Sequence, residues 1–130
     1  MKKMMVLSVV VILFSLGGMV YLFSSASSNS SPQSVLSGTV VDGKQMIEVR
    51  AKGGYVPRFV VAKANMPTVL RMRTQGTFDC SSALVIPSLG YRANLPASGV
   101  TDIDVPPQVA GTSLKGVCAM GMYSFVVNFQ

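Results

Sequence analysis

The chain contains no histidine, and this absence excludes several common kinds of site. A blue-copper electron-transfer site needs two imidazoles beside its cysteine thiolate. Structural zinc sites use about four cysteine or histidine ligands, and two cysteines cannot supply them. Histidine is also the usual general base near neutral pH. No serine has a motif partner and no two carboxylates are suitably spaced. We therefore expect that the protein is not an enzyme and has no small-molecule substrate.

Acidic residues are also scarce, with 5 Asp/Glu against 11 Lys/Arg. The basic residues are scattered, without a run and without interleaved aromatic residues, so nucleic acid is not an expected partner. The excess of positive charge suits an anionic membrane surface or an acidic partner. A solvated surface without any partner explains the same excess equally well.

Charged residues are missing from Met4 to Phe23, a mostly apolar run that follows two lysines. A helix needs about 20 apolar residues to cross a bilayer, and flanking lysines favour a cytoplasmic N-terminus. The sequence therefore predicts a single-pass anchor over residues 1–23 in the cell membrane, with the following domain outside the cytoplasm. A cleaved signal peptide is the alternative, because Ser24-Ser25-Ala26 offers small residues for cleavage.

The remainder of the chain divides into a linker and one domain. Residues 24–37 are rich in serine and carry no charge, which is typical of a flexible linker. Residues 38–130 contain short runs of alternating apolar and polar residues separated by glycine and proline, which are typical of a β-sandwich or barrel. The predicted strands are Met46–Arg50, Arg58–Ala62, Val69–Arg73, Ala83–Ile86, Val100–Val105 and Tyr123–Phe129. We expect an all-β domain over residues 38–130.

Sulfur-bearing residues alternate just before the last predicted strand, at Cys118, Met120 and Met122. This spacing places the three side chains on one face of an extended segment, and Gly121 permits a tight turn if the segment is a loop. Together with Cys80 they offer two thiolates and two thioethers, a soft donor set that selects Cu(I). The sequence therefore predicts a Cu(I) site formed by these four residues.

The same residues also have simpler explanations. Two cysteines in an exported domain most often form a disulfide, and a Cys80–Cys118 bridge excludes a metal because metal ligation needs reduced thiolates. The methionines can fill space in a small core. Asp79, next to Cys80, is a weaker ligand candidate and is more simply explained as a turn residue.

At these residues the sequence resembles the cupredoxins, and more narrowly the CupA-type membrane-anchored Cu(I) chaperones of Gram-positive copper resistance. The resemblance covers the whole chain, including the apolar anchor and the serine-rich linker. The motifs that carry it are Gly53-Gly54-Tyr55-Val56-Pro57, Ile86-Pro87-Ser88-Leu89-Gly90 and the stretch from Gly111 to Met122 that ends in Cys-x-Met-x-Met. A similar domain occurs in this family as an extension of the copper-exporting P-type ATPase.

The resemblance implies a cupredoxin-like Greek-key β-sandwich preceded by a single N-terminal transmembrane helix. It implies that Cys80 takes the place of the upstream histidine ligand of ordinary cupredoxins, and that Cys118, Met120 and Met122 lie on the ligand loop. One or two Cu(I) ions would bind, with the cysteine sulfurs bridging them and the methionines completing the outer ion. Asp79 is a weaker candidate for the inner ion.

The implied function is an extracytoplasmic chaperone that sequesters Cu(I) and hands it to a copper-exporting P-type ATPase. Electron transfer is not implied, because the histidines of electron-transfer cupredoxins are missing. The alternative function is a cell-surface binding or scaffold module that is stabilised by a Cys80–Cys118 disulfide and holds no metal.

Overall fold

Short β-strands make up most of the described structure, a computed structural model that covers residues 35–36 and 38–130. The predicted anchor at residues 1–23 and nearly all of the predicted linker at 24–37 lie outside the described residues. Two short 3₁₀ helices, Cys80–Ser82 and Pro87–Leu89, also occur. The strands are β1 (Val35–Leu36), β2 (Thr39–Val41), β3 (Lys44–Ala51), β4 (Tyr55–Val56), β5 (Phe59–Ala62), β6 (Thr68–Thr74), β7 (Ala83–Ile86), β8 (Tyr91–Asn94), β9 (Gly99–Val105), β10 (Ser113–Cys118) and β11 (Ser124–Phe129).

The strands form two mixed sheets. The six-stranded sheet has the order β1-β5-β11-β10-β7-β8, and the five-stranded sheet has the order β2-β3-β6-β9 with β4 paired to β3. The pairings of β1 with β5, of β5 with β11 and of β3 with β6 are parallel. The remaining pairings are antiparallel.

The alternation of side chains along each strand gives the two sheets a shared apolar core. Strands from both sheets contribute to one cluster of buried residues. Tyr55 of β4 and Phe125 of β11 meet edge to face across this core, with ring centroids 5.1 Å apart. In β10 the inward-facing residues are Leu114, Gly116 and Cys118. Cys118 is therefore buried because of its register in the strand.

The predicted fold class, an all-β cupredoxin-like Greek-key β-sandwich preceded by a single transmembrane helix, is wrong. It is corrected to a predominantly β fold of two mixed sheets. A Greek key places three consecutive strands side by side and returns the fourth beside the first, and neither described sheet has that order. Within the described part of the chain, no helix has the length and apolar composition needed to span a bilayer. The residues of the predicted transmembrane helix lie outside this part. The Greek-key order came from the family resemblance alone, because hydrophobic alternation identifies strands without identifying their neighbours.

Candidate metal centre

The structure brings Cys80 and Cys118 together, although 38 residues separate them in sequence. Cys118 is the last residue of β10, and the adjacent strand β7 follows directly after the 3₁₀ helix that Cys80 begins. The Cα atoms lie 5.8 Å apart, and the two sulfur atoms are joined in a disulfide. Cys118 is fully buried, whereas Cys80 is half-buried at the edge of the core.

Asp79 fixes the backbone of the Cys80 segment. Its carboxylate accepts hydrogen bonds from the Ser81 amide at 2.8 Å, from the Ser81 hydroxyl and from the Gly53 amide at 2.8 Å. The Ser81 hydroxyl, the Gly53 amide and the Ser81 amide, in that order, lower the pKa of the Asp79 carboxyl from its ordinary value. Both carboxylate oxygens are thus engaged by the protein, which is the behaviour of a capping residue.

Tyr55 supports the same segment from the core side. Its hydroxyl donates a hydrogen bond to the Ser81 carbonyl at 3.1 Å. Burial, and then the negative charge of Asp79, raise the pKa of Tyr55 to about 12. The hydroxyl therefore keeps its proton, and this hydrogen bond, throughout the physiological range.

A tight turn joins β10 to β11 and carries the two candidate methionines. The Gly121 amide donates to the Cys118 carbonyl at 2.8 Å, and the Cys118 amide donates to the Tyr123 carbonyl at 3.0 Å. Gly121 has a φ of 73°, a left-handed conformation that a residue without Cβ adopts at little cost. The Tyr123 amide donates to the Cys118 sulfur at 3.4 Å, so the turn also orients the sulfur.

Met120 and Met122 are the exposed part of this turn, with 77% and 63% of their surfaces open to solvent. Neither fills the core, so the space-filling explanation does not hold for them. Met122 also lines a concave pocket of about 370 Å³ together with Tyr123 and Val56. The turn therefore presents two soft thioether donors to solvent, directly after the buried Cys118.

The donor set distinguishes this centre from sites for harder ions. Among residues 35–36 and 38–130, no three His, Cys, Asp or Glu side chains gather in a way that could hold a metal ion. Any ion held here would depend on thiolate and thioether sulfur, which favours Cu(I). The disulfide and the metal are exclusive states of the same two sulfurs, because ligation needs the reduced thiolates.

Sequence reasoning missed the residues that hold the centre in place. The Tyr123 amide donates to the Cys118 sulfur. The Tyr55 hydroxyl donates to the Ser81 carbonyl, and the Gly53 amide donates to the Asp79 carboxylate. Backbone groups leave no sequence signal, and the Tyr55 contact crosses 26 residues. Gly53 and Tyr55 offered a hint, because both belong to the Gly-Gly-Tyr-Val-Pro motif, whereas Tyr123 offered none.

Comparison with known proteins gives several solved structures of similar fold, and two of them are named copper-binding proteins or domains. No protein-family model and no curated protein matches the chain. One structure is the metal-binding domain of the Cu(I)-exporting P-type ATPase CopA of Streptococcus pneumoniae D39, determined with Cu(I). It is 18% identical, spans 72% of this chain and 92% of that domain, and has a TM-score of 0.63. The other is a copper binding protein determined in its apo form by NMR, which is 26% identical, spans 72% of this chain and 94% of its own, and has a TM-score of 0.64.

Proposed function

We propose that this domain binds Cu(I) through the reduced sulfurs of Cys80 and Cys118, with Met120 and Met122 as further ligands. The observation that carries the proposal is the juxtaposition of the two cysteines, whose Cα atoms are 5.8 Å apart, beside a turn with two exposed methionines. The likeness to two copper-binding domains supports the same conclusion. One or two ions fit this donor set, because bridging thiolates leave the thioethers free for an outer ion.

Reduction must precede binding in this proposal. A thiol reductant with two sulfhydryl groups gives two electrons and two protons to the Cys80–Cys118 disulfide, and is itself oxidised to a disulfide. Each cysteine thiol then loses its proton when its sulfur bonds to Cu(I). Because protons compete with the metal, affinity for Cu(I) falls as the pH falls.

We further propose that the domain is a non-catalytic copper chaperone that passes Cu(I) to a copper-exporting P-type ATPase. The two thioethers are neutral and accessible, so an incoming thiolate can displace them while the buried Cys118 still holds the ion. Stepwise exchange of this kind keeps the ion bound throughout the transfer. The fold shared with the metal-binding domain of a Cu(I) exporter is the observation that favours such a partner.

The test is an anaerobic Cu(I) titration of the reduced full chain against a competing chelator, repeated on Cys80→Ser and Cys118→Ser. We expect each serine variant to lose tight binding, because a hydroxyl is a poor ligand for Cu(I). Met46→Leu on β3 serves as the matched control for loss of a sulfur away from the centre, and it should bind like the parent protein. Equal Cu(I) affinity in the parent and both serine variants would refute the proposal.

A second function deserves a test because the structure contains the disulfide itself. In that case the chain would be a disulfide-stabilised binding or scaffold module without metal. Counting accessible thiols in protein taken directly from cells distinguishes the two functions. Quantitative oxidation in cells, combined with no Cu(I) uptake after reduction, would favour the scaffold.

We also propose that the domain acts outside the cytoplasm. A disulfide between Cys80 and Cys118 persists in oxidising compartments and is rare in the cytosol. Labelling of intact cells with a membrane-impermeant thiol reagent after mild reduction tests this location. Labelling only after lysis would place the domain inside the cell.

A further inference from the structure

Basic side chains near the candidate metal centre lack acidic partners within the described structure. The three ion pairs found among the described residues join Lys44 to Asp104, Arg71 to Asp102 and Arg73 to Glu48. These pairs use most of the acidic residues of the five-stranded sheet. Arg50, Lys52 and Arg58 belong to none of them.

The positions of these three residues are set by strand register. Arg50 of β3 lies opposite Val56 of β4 on one side and opposite Arg73 of β6 on the other. Lys52 follows β3 directly, and Arg58 follows β4 by two residues. The register thus places positive charges around one exposed apolar residue, Val56, which is 51% exposed.

Two concave pockets meet at Val56. One has a volume of about 280 Å³ and is lined by Arg50, Lys52 and Arg73 together with Val56. The other, of about 370 Å³, is lined by Val56, Arg58 and Met122. We call this combination of two pockets the Val56 surface. It connects a cluster of cations with a candidate copper ligand.

The acidic groups close to the Val56 surface are already engaged. Glu48 lies 3.1 Å from the Arg73 guanidinium, and the Asp79 carboxylate accepts hydrogen bonds from Ser81 and Gly53. Arg50, Lys52 and Arg58 therefore keep their charge available to a partner. Complementary charge mainly raises the rate of association and orients the encounter.

We infer that the Val56 surface docks an acidic segment of the protein that exchanges copper with this domain. The inference rests on the proposed Cu(I) function, because it assigns the chemistry of the exchange partner. A partner held in the Arg50–Lys52 pocket lies across Val56 from the pocket that Met122 lines, so that its own thiolate can approach the ion from that side. Two pockets flanking an apolar side chain favour a protruding peptide segment over the flat surface of a membrane.

The test uses a synthetic peptide with glutamates flanking a Cys-x-x-Cys pair, loaded with Cu(I) under anaerobic conditions. Stopped-flow transfer to the reduced full chain is measured at increasing salt, for the parent and for Arg50→Glu with Lys52→Glu. We expect the variant to accept copper about tenfold more slowly at low salt, and the difference to shrink as salt screens the charges. Its affinity for Cu(I) from a neutral chelator should stay unchanged.

Lys63→Glu with Lys115→Glu is the matched control, since both residues are exposed and lie outside the two pockets. It makes the same change in net charge and should slow transfer much less. Equal slowing in the control, or equally fast transfer from a peptide with lysines in place of the glutamates, would overturn the inference. Binding to phosphatidylglycerol vesicles through Arg50 and Lys52, without binding of the acidic peptide, would overturn it as well.

A metal-free measurement separates this inference from the proposed function. The acidic peptide with serines in place of its cysteines is titrated into the apo chain and followed by NMR. Shifts at Arg50, Lys52 and Val56 support docking even if the Cu(I) titration fails, in which case only the copper function is refuted. Cu(I) binding without such shifts refutes docking alone.

Discussion

At the scale of single residues, the sulfur of Cys118 is positioned by backbone groups that belong to its own turn. The Tyr123 amide points at it, and the Gly121 amide closes the turn on the Cys118 carbonyl. An N–H dipole aimed at sulfur stabilises the electron-rich thiolate more than the neutral thiol. In the proposed function, the turn therefore orients the reduced Cys118 as a ligand, and it leaves both methionines outside the core.

We predict that replacing Met120 and Met122 with leucine removes the more exchangeable copper. Leucine keeps the size and apolar character but has no sulfur donor, and exposed substitutions of this kind change stability by roughly 0.5 kcal/mol or less. Anaerobic titration should show fewer Cu(I) equivalents or faster loss to a chelator, with the thiolate-bound ion retained. Unchanged stoichiometry and unchanged transfer rate would remove the methionines from the site.

We predict that Asp79→Ala destabilises the fold by about 1 kcal/mol near neutral pH, the usual cost of a lost cap. The folded state holds the pKa of this carboxyl below its ordinary value. Its contribution is therefore complete above the pKa of the unfolded chain, near pH 4, and is lost as the pH falls through the folded value. Urea unfolding of both proteins from pH 7 to pH 3 should show the difference shrinking. A difference that stays constant with pH would assign the effect to something other than the charge.

At the scale of elements, the strands were predictable and their neighbours were not. All six predicted strands occur, with ends shifted by at most two residues. The strands that the sequence did not reveal include β8 and β10, which are short and have few large apolar residues. The parallel pairing of β3 with β6 depends on how the chain crosses between sheets, and local alternation contains no information about that crossing.

We predict that Gly116→Ala destabilises the fold by about 2 kcal/mol, within the range for overpacking a core. Gly116 lies opposite Phe125 in the β10–β11 pair, and an added Cβ would collide with the Phe125 ring. That ring also packs against Tyr55 and cannot withdraw freely. Chemical denaturation measures the loss. Lys115→Ala, one position earlier on the exposed face, is the control and should cost much less.

At the scale of the whole molecule, the amino-acid composition excluded more kinds of functional site than kinds of fold. The lack of histidine and the Cys-x-Met-x-Met spacing predicted a Cu(I) site that includes both cysteines of the chain, and the structure brings these two together as a disulfide. Asp79 matches its interpretation as a turn residue, since its carboxylate caps the Cys80 segment. The clustering of basic residues around Val56 could not be predicted from the sequence, because β3, β4 and β6 contribute to one pocket only after folding.

We predict that reduction of the disulfide lowers the free energy of unfolding by about 4 kcal/mol, from the loop entropy of its 38-residue separation. Cu(I) at about 100 times its dissociation constant should restore about 2.7 kcal/mol, because the ion binds only the folded state. Urea unfolding of oxidised, reduced and reduced Cu(I)-loaded protein measures both effects. The double variant Cys80→Ser with Cys118→Ser should respond to neither reductant nor Cu(I). No stabilisation of the reduced parent by Cu(I) would contradict the link between folding and metal.

The last strand also fixes where an added group can be attached. The Gln130 amide donates to the Ala62 carbonyl, and the Ala64 amide donates to the Gln130 carbonyl, so this residue is anchored at the end of β11 away from Tyr123. The six residues of β11 span about 20 Å at roughly 3.3 Å each. A fluorophore or an electrode linker joined at Gln130 would therefore project away from the sulfur atoms, leaving them free during single-molecule or voltammetric recording.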